Sequence, residues 1–134
     1  MTPFVYVWVA LGGALGSAFR YLLSNAVARF AGEAMPWGTL LVNVLGSFVI
    51  GWFAIATTSG GRLAATPEFR TFVMVGLCGG FTTFSSFSLQ TLALFEDGEP
   101  LRASANILLS VALCLASAWL GAGVANGFST IGRP

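Results

Sequence analysis

The stretch Gly76-Leu-Cys-Gly-Gly-Phe-Thr-Thr-Phe-Ser-Ser-Phe-Ser88 joins glycines and hydroxyls to Phe84 and Phe87, in an interval with no charged residue between Arg70 and Glu96. Phe84 and Phe87 stand three residues apart, so their rings share one helical face. A phenyl ring is negative on its face and positive at its edge. Two rings turned edge-on can therefore support an anion weakly, where a fixed arginine would hold it too tightly for conduction. Thr82, Thr83, Ser85, Ser86 and Ser88 add hydroxyls beside them. Backbone carbonyls released by a helix break at Gly79-Gly80 would suit the opposite sign, a cation such as sodium.

Two further stretches place neutral polar groups at helical spacing. Thr39 and Asn43 lie one turn apart within Trp37-Gly-Thr-Leu-Leu-Val-Asn-Val-Leu-Gly46, and the Asn43 amide offers two protons. Asn106, Ser110 and Cys114 recur every four residues along an apolar segment. Against these stands an absence. There is no histidine, and every carboxylate falls in a connection between apolar segments. A proton-coupled exporter or a side-chain cation site needs a carboxylate at membrane depth, so any pathway here works with neutral groups. Arg20 is the only deep charge; it either attracts anions near a cavity mouth or caps carbonyls as a structural residue. Cys78 and Cys114 sit inside apolar segments, as small buried hydrophobes do.

Positioning such groups falls to four long segments, at residues 4–27, 36–58, 69–95 and 101–127, each long enough to cross a bilayer. More than half of the 134 residues are apolar and 8% are charged, against about 25% in a soluble domain. A chain this small cannot cover a water-facing surface with so few charges, so the expected architecture is one all-α membrane domain spanning residues 1–134. Net charge is +1, all basic residues are arginines, and no basic tract argues for nucleic acid. Pro36 and Pro100 open helices, where a missing amide proton costs little, and Thr66-Pro67-Glu68 reads as an N-terminal cap. The third segment is expected to break midway, because non-helical backbone at membrane depth survives only against protein or a cavity. Gly12 and Gly16, Gly76 and Gly80, and Gly123 and Gly127 have the small-xxx-small spacing that lets helices touch.

The arginines are balanced. With four spans, Arg62, Arg70 and Arg133 share one side; Arg29 and Arg102 take the other, with Arg20 nearer the latter. Orientation needs an imbalance, so the expectation is insertion both ways round and an antiparallel pair.

The segments Trp37–Phe48, Gly79–Ser88 and the Gly16, Arg20-Tyr21 region together resemble the Fluc (CrcB) fluoride-channel family, across all four spans. The resemblance implies a multi-pass protein of the bacterial inner membrane, not an enzyme, that lets fluoride leave the cell passively. It implies an antiparallel, dual-topology homodimer with two pores, each lined by both subunits. Phe84 and Phe87 would then be the pore phenylalanines and Asn43 the pore amide. Thr39, Ser110, Ser85 and Ser86 would lie along the polar track, with Arg20 as a vestibule or structural charge. Carbonyls of Gly79 and Thr82 would hold a central structural sodium, two from each subunit. Gln90 stands where the family commonly has Glu, and Cys114 where it often has Ser. The competing readings are a small dual-topology multidrug or cation transporter, which normally needs a buried Glu, and a non-transporting membrane subunit.

Overall fold

In the computed structural model, residues 4–58, 61 and 63–130 are described, the last three by their backbone alone. Arg62 and Arg133 of the arginine balance lie outside them. Among the described residues every regular element is helical: α1 (Phe4–Ala31), α2 (Trp37–Ala56), α3 (Pro67–Thr71), a π-helical segment (Phe72–Cys78), α4 (Gly79–Phe81), α5 (Phe84–Glu96) and α6 (Pro100–Thr130). Four stretches are long and apolar enough to cross a membrane: α1, α2, Pro67–Glu96 and the Pro100–Gly127 part of α6. The first span thus runs beyond residue 27 and the second stops short of residue 58.

The ends follow local chemistry. Gly32 ends α1 with φ 76°, and Gly98 ends α5 with the same angle, a left-handed conformation that glycine adopts without strain. At the second site Gly98 N–H returns to the Phe95 carbonyl and Glu99 N–H to that of Leu94, a Schellman closure that turns the chain straight into Pro100. Thr66 caps α3 by accepting from Phe69 N–H at 3.2 Å, as its sequence suggests. Arg70 closes the preceding connection, its Nη1 donating to the Thr57 carbonyl at 2.7 Å and to the Thr57 hydroxyl.

Glycine decides the packing. A Cβ on Gly12 would come within 2.9 Å of Gly76 Cα, and one on Gly16 within 2.2 Å of the Leu77 carbonyl oxygen. A Cβ on Gly80 would meet the Gly13 carbonyl at 2.6 Å. The first span therefore lies backbone to backbone on the third, as two of the three small-residue pairs foretell. Among the described residues, nothing lies within 4 Å of the Cβ positions of Gly123 and Gly127. The α2–α6 contact uses unanticipated glycines: Gly51 faces the Ala118 carbonyl and Gly121 that of Phe48. Ser117 seals it by donating to the Val44 carbonyl at 2.8 Å. Large apolar side chains such as Phe4, Leu22, Leu89, Leu108 and Trp119 point outward, the arrangement expected where the solvent is hydrocarbon.

The third span is interrupted, but not at the glycines. Gly79 is helical, with φ −63° and ψ −37°, and α4 runs through Gly80 to Phe81. The break is Thr82-Thr83, both extended at ψ 156° and 112°. Gly80 serves close packing against α1 rather than unwinding.

Candidate functional site

A break inside an apolar span strands backbone groups that no water can satisfy, and side chains from two other helices meet them here. Asn43 on α2 clamps Thr83 at both ends: its Nδ2 donates to the Thr83 carbonyl at 3.0 Å, and its Oδ1 accepts from Thr83 N–H at 2.7 Å. This two-point match fixes which way the amide faces. It also diverts the N–H that would have bonded the Gly79 carbonyl in a continuous helix. The Gly80 carbonyl accepts from Arg20 Nε at 3.2 Å and from the Ser17 hydroxyl at 3.4 Å. Arg20 thus takes the carbonyl-capping half of the two roles its sequence allowed. Thr82 turns its own hydroxyl back onto the Cys78 carbonyl at 2.9 Å.

Thr83 then restarts the helix. Its hydroxyl accepts from Ser86 N–H at 3.1 Å, the bond expected of a threonine N-cap. It also lies 3.3 Å from the Ser85 hydroxyl and donates to that of Ser86 at 3.0 Å. Ser85 and Ser86 are engaged in this cap and do not line the adjoining cavity.

That cavity, about 370 Å³, is bounded by Asn43, Ser47 and Ile50 of α2, Thr82, Thr83, Phe84 and Phe87 across the break, and Ser110, Val111, Cys114 and Leu115 of α6. Its lining contains no charged residue. The two rings sit 5.2 Å apart between centroids, tilted 51° to each other. Phe84 is 78% exposed on its open side, while Phe87 is buried at 9%. Asn43, Phe84, Phe87 and Ser110 therefore converge on one space. Cys114 also faces it as a free thiol, whereas Cys78 is packed away.

Thr39 does not share it. Although one turn from Asn43, it is buried and opens on a second cavity of about 350 Å³ with Ser24, Asn25, Glu33 and Gln90. The Gln90 Oε1 is buried there with no partner among the described residues. Asn106, the first of the α6 stripe, lines neither cavity; it is 2% exposed and donates through Nδ2 to the Thr91 hydroxyl at 2.9 Å. Among the described residues no group of three or more His, Cys, Asp or Glu could hold a metal ion.

Residue types alone missed Thr83 as the hub, Ser17 as a partner of Gly80, and Thr91. The Thr83 cap has a sequence signal, a hydroxyl residue directly before a new apolar run. The pairings with Asn43 and Arg20 span 40 and 60 residues and carry no local signal.

Residues 7–122 match the family described as CrcB-like protein, Camphor Resistance (CrcB). The chain is 54% identical over 127 residues to a protein of Opitutus terrae named fluoride-specific ion channel FluC, covering 95% of this chain and 96% of that relative. Proteins of the same name from Rhodospirillum rubrum and Paramagnetospirillum magneticum are 55% and 56% identical over 116 residues; each alignment covers 87% of this chain, with 90% and 91% of the respective relatives.

Proposed function

The chain belongs to the CrcB-like family, and from that membership we propose that it is a fluoride-selective channel that lets the anion leave the cell passively across the bacterial inner membrane. The observation that carries this reading is the uncharged cavity beside the broken span, where the Asn43 amide, two phenyl rings and the Ser110 hydroxyl meet. An ion there finds weak, neutral groups. Asn43 spends one amide proton on Thr83 and keeps the other. Ring edges add shallow positive potential. Binding of this strength lets an ion enter and also leave. No step involves a covalent bond, and no carboxylate lines the cavity to take up a proton.

The working unit is an antiparallel homodimer with two pores, each completed by the second copy. One subunit leaves the cavity open beside Phe84, and a second copy would close it. In this reading the Ser85 and Ser86 hydroxyls and Thr39 lie along the track by which fluoride approaches and departs, and Arg20 braces the break at its side.

The donors at the break fit a structural sodium at the dimer centre. The carbonyl of Gly79 has lost its helical partner to Asn43, and Thr82 is extended; carbonyl oxygens are hard donors suited to a small hard cation. Gly79 and Thr82 of both copies would hold the ion, which would supply fixed positive charge between the pores.

Fluoride-electrode efflux from liposomes tests the function. Vesicles loaded with potassium fluoride and carrying the purified protein should release fluoride on adding a potassium ionophore, with no proton gradient required, while chloride-loaded controls stay silent. Absence of fluoride release would leave the non-transporting subunit as the better reading. Release that required a proton gradient would favour a coupled transporter.

A further inference from the structure

Behind the cavity wall the hydrogen bonds run in one direction. The Thr91 hydroxyl donates to the Phe87 carbonyl at 2.7 Å. With its single proton committed, Thr91 meets Asn106 only as an acceptor, so the amide turns Nδ2 toward it, at 2.9 Å. That leaves the Asn106 Oδ1 facing Ser110, whose hydroxyl donates to it at 3.5 Å. Thr91 and Asn106, behind the wall, are 7% and 2% exposed, so solvent does not disturb the order of donors between them. Every proton in the relay points away from the cavity, and the one member that lines the cavity, Ser110, turns lone pairs toward it.

An anion cannot use lone pairs. It can be served by Ser110 only if the hydroxyl proton leaves Asn106. The bond holding that proton is long and therefore weak, whereas a hydrogen bond to an anion is about twice as strong as a neutral one. We propose that Asn106 is a positioning residue that holds the Ser110 proton while the cavity is empty and yields it when an ion arrives. This rests on the reading of Ser110 as part of the fluoride pathway. The ion then gains only the difference between two hydrogen bonds, which keeps its stay short. Thr91 sets the device, because its bond to the Phe87 carbonyl decides which end of the Asn106 amide faces Ser110.

Two substitutions free the Ser110 proton by different routes. Asn106→Leu removes the acceptor. Thr91→Val keeps Asn106 but lets its amide turn and donate to Ser110, sending the hydroxyl proton into the cavity. Both should tighten fluoride binding, by about two- to fivefold given the roughly 0.5–1 kcal/mol of a weak competing hydrogen bond, and both should slow maximal efflux. Half-saturation is read from the fluoride dependence of the melting midpoint in detergent, and efflux from liposomes. The same pair is then made with Ser110→Ala. Tightening in either variant that disappears in the Ser110→Ala background supports the relay, and if Asn106→Leu does not fold, Thr91→Val decides. Slower efflux at unchanged half-saturation would reduce Asn106 to a packing residue and overturn the proposal, as would tightening that persists with Ser110→Ala. A wild-type protein that releases no fluoride overturns the channel reading itself, a result separate from either.

Discussion

Asn43 performs two tasks that pull toward one residue type. It accepts from a backbone N–H and donates to a backbone C=O at the same residue, and in the proposed pathway its second amide proton would serve the ion. Only a side-chain amide has this inventory on so short a stem. Asn43→Asp keeps the acceptor, loses the donor to the Thr83 carbonyl and places a charge beside the ion path. Like charges about 4 Å apart cost roughly 4 kcal/mol at an effective dielectric of about 20, so fluoride efflux should fall by about a hundredfold or more. Asn43→Leu removes the clamp without adding charge and should cost less. Equal losses in the two variants would assign Asn43 to the backbone alone, and unchanged efflux in Asn43→Asp would remove it from the pathway. The choice of Asn43 and of the two phenylalanines as candidates was legible from residue type and spacing, because amides and rings in an uncharged span have few uses, and the three border one cavity. That Asn43 clamps Thr83 was not, since the partner lies 40 residues away. Thr39, one turn from Asn43, opens elsewhere: shared helical spacing sets a face, and the neighbouring helices decide which cavity that face meets.

At the scale of the helix, the spans themselves were plain from apolar length, while the place of the break was misjudged for a physical reason. Gly79-Gly80 has the composition of a helix breaker, yet a glycine missing its Cβ serves equally to let another backbone approach, and in Gly80 that use prevails. What ends α4 is the pair of threonines, whose hydroxyls offer the backbone alternatives to the helical ladder. The π-helical segment before it, Phe72–Cys78, likewise carried no recognised signal. It holds Gly76 against Gly12 at the first of the close approaches between the two spans. The neighbouring glycines of α1 give a matched test of this packing. A Cβ at Gly16 would lie 2.2 Å from the Leu77 carbonyl and 2.7 Å from Phe81 N, whereas no described residue lies within 4 Å of one at Gly13. Gly16→Ala must push α1 off the third span just where Arg20 and Ser17 reach Gly80. Overpacking of this kind costs about 1–3 kcal/mol, so the melting midpoint in detergent should drop and efflux with it. Gly13→Ala should melt near wild type. If both variants melt alike, the close approach of the two backbones is not what holds the break in place.

For the molecule as a whole, the unusual property is how little it encodes about which way up it sits. Orientation follows the excess of arginine and lysine in short connections, and here Arg29 and Arg102 oppose Arg62, Arg70 and Arg133 across four spans. Near balance is costly for a protein that works in one orientation and useful for one that needs both. The proposed dimer would give a reason to need both. The cavity stays open where Phe84 is 78% exposed, and a sodium of the kind proposed would need carbonyls from more than one chain. A second copy related by an axis in the membrane plane would bring a second break against the first and supply both deficits together. Tipping the balance therefore separates the alternatives. Two arginines added to the 32–36 connection should force one orientation, and two added near Thr58 the other. Each biased protein expressed alone should yield little fluoride efflux, and the two expressed together should restore most of it. A C-terminal reporter on the unaltered chain should be found on both sides of the membrane. Full efflux from either biased protein alone, with its reporter confined to one side, would show that a single orientation suffices and that the balanced arginines do not serve assembly.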